Sequence, residues 1–126
     1  MQKGDCFWGD PAGGSNPHPW LVLSSPNSAG EIAIVNLTTG LGGVKAHQVK
    51  PSSLPILKYD SEVAWFEAIT YDNAQADKRV SAKLWTWDSN IPSNRVDAII
   101  NQGLMLGLIS RELKAFLKKA GSSACA

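Results

Sequence analysis

His18, Thr38 and Thr39 are the residues of this chain whose types and placing suit proton transfer to a reacting oxygen. An imidazole gains or loses a proton near neutral pH, and hydroxyls donate hydrogen bonds to a charged oxygen. Twenty positions separate His18 from Thr38, yet the sequence between them is two apolar runs, WLVL at 20–23 and IAIVNL at 32–37, around the turn-forming SSPNSAGE. β-rich runs flanking Pro, Asn and Gly predict an antiparallel hairpin. In a hairpin the start of the first strand and the end of the second share one end of the sheet, so His18 and Thr38 become neighbours. The same residues also read as an ordinary His-Pro strand entry and an ordinary β-branched strand exit.

Other chemistries find less in the sequence. Cys6 and Cys125 form no CxxC pair, and His18 and His47 are not at ligand spacing, which argues against a zinc site. GLGG at 40–43 is not followed by Lys-Ser/Thr, so it is no phosphate-binding P-loop. A G-x-S-x-G nucleophile elbow is absent. Asp60, Glu62 and Glu67 are near enough in sequence for a carboxylate pair, and a solvated strand edge accounts for them more simply.

The elements that must position the hairpin follow from local pattern. GDCFWGD at 4–10 predicts a first strand, with Phe7 and Trp8 on opposite faces and only one of them in the core of a one-layer sheet. Pro11–Pro19 is a Gly/Pro loop, longer than a hairpin needs and ending at His18. The two hairpin runs are almost wholly apolar, as suits strands covered on both faces. A second Gly-rich loop opens into VKAHQV at 44–49, with His47 and Val49 on one face and Gln48 on the other. Alternation predicts further strands over Ser61–Thr70 and Lys78–Trp87, then a turn over Asp88–Pro92. Ser93 or Asn94 is the expected cap of a helix carrying Val96, Ile99, Ile100 and Leu104, which Gly103 and Gly107 end. Ser110 is the expected cap of a second helix with Leu113, Phe116 and Leu117 on one face. Its lysines complement the dipole of its last turn, and a small-residue tail follows from Gly121. Five strands and then two helices, without βαβ alternation, predict a mainly β member of the α+β class. Its sheet is curled or closed, its helices lie on one side, and residues 1–126 form one domain with a β portion at 1–87 and a helical portion at 93–119.

Composition sets limits of its own. An apolar fraction of 44% in 126 residues suffices for one core. No apolar run approaches the roughly 20 residues of a membrane-spanning helix, and no apolar leader stands at the start, so free thiols and a cytoplasmic location are expected. The net charge of +1 is unevenly placed: residues 1–77 hold four Lys/Arg against eight Asp/Glu, and residues 78–126 hold eight against three. The basic half reads as a solvated face on terminal helices, or as a surface for nucleic acid or an acidic partner.

Gly4-Asp5 and Trp8, a Gly/Pro-rich loop, His18-Pro19, Leu21-Val22-Leu23-Ser24 and Leu37-Thr38-Thr39 together resemble the N-terminal half of the MazF/PemK toxin ribonucleases. The likeness covers roughly residues 4–39. It implies a small SH3-like barrel with terminal helices, paired as a homodimer. It also implies cleavage of single-stranded RNA without a metal or other cofactor, with an antitoxin protein blocking the groove. Such cleavage needs a base for the ribose 2′-hydroxyl, an acid for the leaving 5′-oxygen and donors for the charged phosphorane. By the resemblance these duties fall to His18 and Thr38, with Thr39 beside it. The family pattern has Arg before the proline where this chain has His18, which exchanges a fixed forked cation for a group that can carry a proton. Lys45 and His47 are then candidates for the missing positive charge, and Trp8 completes the candidate substrate-binding set. The alternative reading is a barrel without catalysis that binds protein or nucleic acid through its tryptophans, Trp8, Trp20, Trp65, Trp85 and Trp87, at least three of which are expected in the core.

Overall fold

The computed structural model describes residues 1–39 and 47–125, with the backbone alone for 121–125. Six strands form one antiparallel sheet: β1 (Asp5–Gly9), β2 (His18–Val22), β3 (Glu31–Thr38), β4 (Gln48–Val49), β5 (Ser61–Asp72) and β6 (Thr86–Asn90), in the order β4-β5-β3-β2-β1-β6. Three helices accompany them: α1 (Asn73–Ser81), α2 (Ser93–Met105) and α3 (Arg111–Cys125). The fold is α+β and mainly β, with the sheet curled into a half-barrel. The predicted hairpin is its centre, with Trp20 opposite Asn36, Leu21 opposite Val35 and Val22 opposite Ile34.

Both faces of this sheet are covered, and that accounts for the unbroken apolar runs. Cys6, Leu21, Ala33, Val35, Leu37, Val63 and Trp65 point to one face, where Val96 and Ile99 of α2 and Leu113 of α3 close over them. Phe7, Trp20, Val22, Ile32 and Ile34 point to the other, covered by Ala76 of α1 and by Trp85. Phe7 and Trp8 do take opposite faces as expected. Because there are two cores, Phe7 is fully buried in one while Trp8 packs half-buried against the other.

A helix stands where the alternation predicts a strand. Lys78–Trp87 is not a strand: Lys78–Ser81 are the last residues of α1, and β6 starts only at Thr86. The helix begins because the Asp72 carboxylate accepts from the Gln75 N–H at 3.1 Å, capping a stretch that Ala and Gln favour. α1 also overturns the expectation of helices on one side only, since it covers the face opposite α2 and α3. Asp88–Pro92 is not a turn; Asp88–Asn90 belong to β6, paired with β1. α2 is capped by Pro92 without a side-chain bond, not by Ser93 or Asn94. Gly103 lies inside α2, where a Cβ would stand 2.7 Å from the Trp65 ring, so the glycine is there for close packing. Gly107, at φ +70°, does end the helix. Ser110 caps α3 as expected, its Oγ accepting from the Leu113 N–H at 3.1 Å. The helix then continues past Gly121 to Cys125, so its lysines lie in mid-helix and not in the last turn. Of the strand expected at 44–49, Gln48–Val49 is observed, and 44–46 lie outside the described residues.

β5 departs from regular pairing in one place. Ile34 faces Ile69 and Asn36 faces Ala64, so residues 65–68 of β5 stand against Val35 alone. This bulge bends the sheet and turns Phe66 outward, 72% exposed. The Glu67 carboxylate within it accepts from the Asn36 side-chain amide at 2.7 Å.

Candidate functional site

His18 is the last residue of the Gly/Pro loop and the first of β2, placed opposite Gly9, with Pro19 opposite Trp8. Carried two residues on from the Trp20–Asn36 pair, the β2–β3 register sets His18 across from Thr38. The pair does meet at one end of the sheet: Trp8, His18, Pro19, Thr38 and Thr39 line a single cavity of about 190 Å³. Its remaining wall is the segment Leu57–Tyr59 together with Ser61. Thr38 faces Glu62 in β5, which brings the start of β5 and the residues before it to the same end of the sheet.

The cavity is half-open and mixed in character. The His18, Thr39, Lys58 and Tyr59 side chains are exposed, Thr38 and Trp8 are half-buried, and Leu37 and Leu57 form a buried floor. Thr38 Oγ1 donates a long bond of 3.4 Å to the Thr39 carbonyl, which leaves the hydroxyl weakly held and able to turn toward an incoming anion. Ser61 Oγ donates to the Tyr59 carbonyl at 2.9 Å and fixes the backbone that presents Lys58 and Tyr59. The cavity therefore gathers an imidazole, two threonine hydroxyls, an ammonium and a phenol around a space one phosphate group could enter. Lys58 and Tyr59 escape the sequence reading, because only the neighbouring of β3 and β5 brings them to Thr38.

The other residues expected to hold substrate separate. Lys45 lies outside the described residues. His47 is 4% exposed. Its Nδ1 accepts from the Trp65 indole N–H at 2.8 Å, and the two rings stack at 5.9 Å. An Nδ1 that accepts leaves the ring proton on Nε2, and burial lowers the His47 pKa from its ordinary 6.5. His47 lines a different cavity, of about 340 Å³, with Lys50, Ser53 and Arg95. Glu67 is bonded to Asn36, while Asp60 and Glu62 line a third recess with Gln48 and Lys50.

Trp20, Trp65 and Trp85 are core residues, in line with the expectation that at least three tryptophans would be, whereas Trp87 is 49% exposed on β6. The Cys6 thiol is free and buried, and its pKa is pushed up to about 12, chiefly by burial. Among the described residues no three His, Cys, Asp or Glu side chains gather as metal ligands would. No described helix is long and apolar enough to cross a membrane. No known family model matches the chain, and no curated protein is similar to it.

Proposed function

We propose that the chain is an endoribonuclease of the toxin type, cutting single-stranded RNA without a metal and held in check by an antitoxin protein. The observation that carries this reading is the meeting of His18, Thr38 and Thr39 in one cavity with Lys58 and Tyr59. Those first three are the residues that the likeness to MazF/PemK toxins singles out. In the reaction His18 takes the proton of the ribose 2′-hydroxyl as that oxygen attacks phosphorus. The bond from phosphorus to the 5′-oxygen then breaks, and that oxygen receives the proton His18 took, leaving a 2′,3′-cyclic phosphate and a 5′-hydroxyl. Thr38 and Thr39 donate to the phosphorane oxygens, and Lys58 supplies the positive charge that an arginine before Pro19 would otherwise bring. Trp8 offers a ring against which a base can stack. The enzyme works in the cytoplasm as a homodimer.

Incubation of purified protein with single-stranded RNA in EDTA tests the reading. Fragments ending in cyclic phosphate are expected from the wild type and none from His18→Ala. RNA left intact by micromolar wild-type protein would sink it.

A further inference from the structure

The geometry points to a second phosphate-binding site, on the α1 face of the sheet at the exit of that helix. It rests on the ribonuclease reading for its ligand, the backbone of a single-stranded RNA. The first observation is a misplaced lysine. α1 and α2 end in the same backbone motif. After α2 the Gly107 N–H bonds to the Leu104 carbonyl and the Leu108 N–H to the Gly103 carbonyl, both at 3.0 Å. After α1 the Lys83 N–H bonds to the Val80 carbonyl at 3.0 Å and the Leu84 N–H to the Arg79 carbonyl at 2.9 Å. The motif needs a left-handed residue, which glycine supplies without strain. α2 uses Gly107; α1 uses Lys83 at φ +61°, the one non-glycine with positive φ among the described residues. A side-chain-bearing residue held in that conformation costs free energy, and strain of this kind gathers at functional sites.

The second observation is where that lysine stands. Lys83 and Arg79 line a cavity of about 390 Å³ whose opposite wall is the Gly13–Gly14 turn of the β1–β2 loop. Among the described residues neither cation forms an ion pair. Asp10 also lines the cavity, and its Oδ1 accepts from the Ala12 N–H at 3.1 Å, closing the loop's own turn. Two cations thus face one carboxylate. Arginine's fork beside a lysine's point charge suits a phosphate better than a single carboxylate.

The third observation is continuity with the first site. Pro17 lines this cavity and His18 lines the other. Pro17 and His18 are consecutive in the chain, so the β1–β2 loop borders both cavities.

The test uses an oligoribonucleotide with every 2′-hydroxyl methylated, which binds without being cut. Its affinity is measured from 50 to 200 mM salt for the wild type, Lys83→Gly and Arg79→Gln, with thermal melts alongside. Each substitution is expected to weaken binding several-fold and to lower the slope of log K against log salt by about 0.7, one single-strand phosphate contact. Lys83→Gly should at the same time raise the melting temperature by about 4 °C. Unchanged slopes in both variants overturn the site, as does a wild type that fails to bind the oligonucleotide. Lowered slopes together with failure to cut unmodified RNA overturn the ribonuclease reading and leave this site standing.

Discussion

His18 stands exposed at the entry to its strand, so replacing it removes an imidazole and little packing. On the proposed reading, His18→Ala is expected to lower cleavage at least about 100-fold while changing the unfolding free energy by no more than about 0.5 kcal/mol; activity and unfolding measured on the same preparation check both. His47 behaves in the opposite way. Burial lowers its pKa, so below its ordinary 6.5 the unfolded chain binds a proton that the folded chain does not. The stabilisation is therefore complete above about pH 6.5 and declines as acidity rises, until folded His47 is itself protonated and loses its bond from Trp65. Urea midpoints taken from pH 8 to pH 5 should fall, and fall less steeply in His47→Gln. At this scale His18, Thr38 and Thr39 were legible because one hairpin joins them. Lys58 and Tyr59 were not, since their place depends on which strand lies beside β3, a long-range matter that no local pattern records.

The helices succeed or fail as sequence signals according to their caps. Ser110, four residues before Lys114 and followed by an apolar stripe, announces α3 plainly. Asp72 announces α1 just as well, but the alternation of Val80, Ala82 and Leu84 suggests a strand and hides it. Asp72→Ala and Ser110→Ala should each cost about 1 kcal/mol, seen as lower urea midpoints with unchanged slope. Gly103 was read as a helix end because a glycine within a helix is usually unfavourable; the Trp65 ring pressed against it supplies the reason sequence alone lacks. Gly103→Ala is expected to cost about 1–3 kcal/mol by overpacking, and loss of near-ultraviolet circular dichroism from Trp65 would locate the damage.

The whole molecule is a sheet between two cores, and the smaller core depends on Trp85. Its ring stacks on Phe7 at 4.7 Å and leans on Tyr71 at 5.1 Å. Trp85→Ala should cost about 3–5 kcal/mol, a large share of the roughly 5–15 kcal/mol that holds a domain folded. Equilibrium unfolding would measure it. The two-sided burial was legible in the apolar runs of β2 and β3, but what covers the second side was not. Strand order adds a consequence for synthesis. β1 pairs on its outer side with β6, so the first strand waits for the last. Every described residue of the His18 cavity lies within the first 61, whereas β6 ends at Asn90. At translation rates of about 5–20 residues per second, that interval lasts roughly 1.5 to 6 seconds. Until then Phe7 and Trp20 lack their Trp85 cover, and the nascent chain bears an apolar face that chaperones can bind.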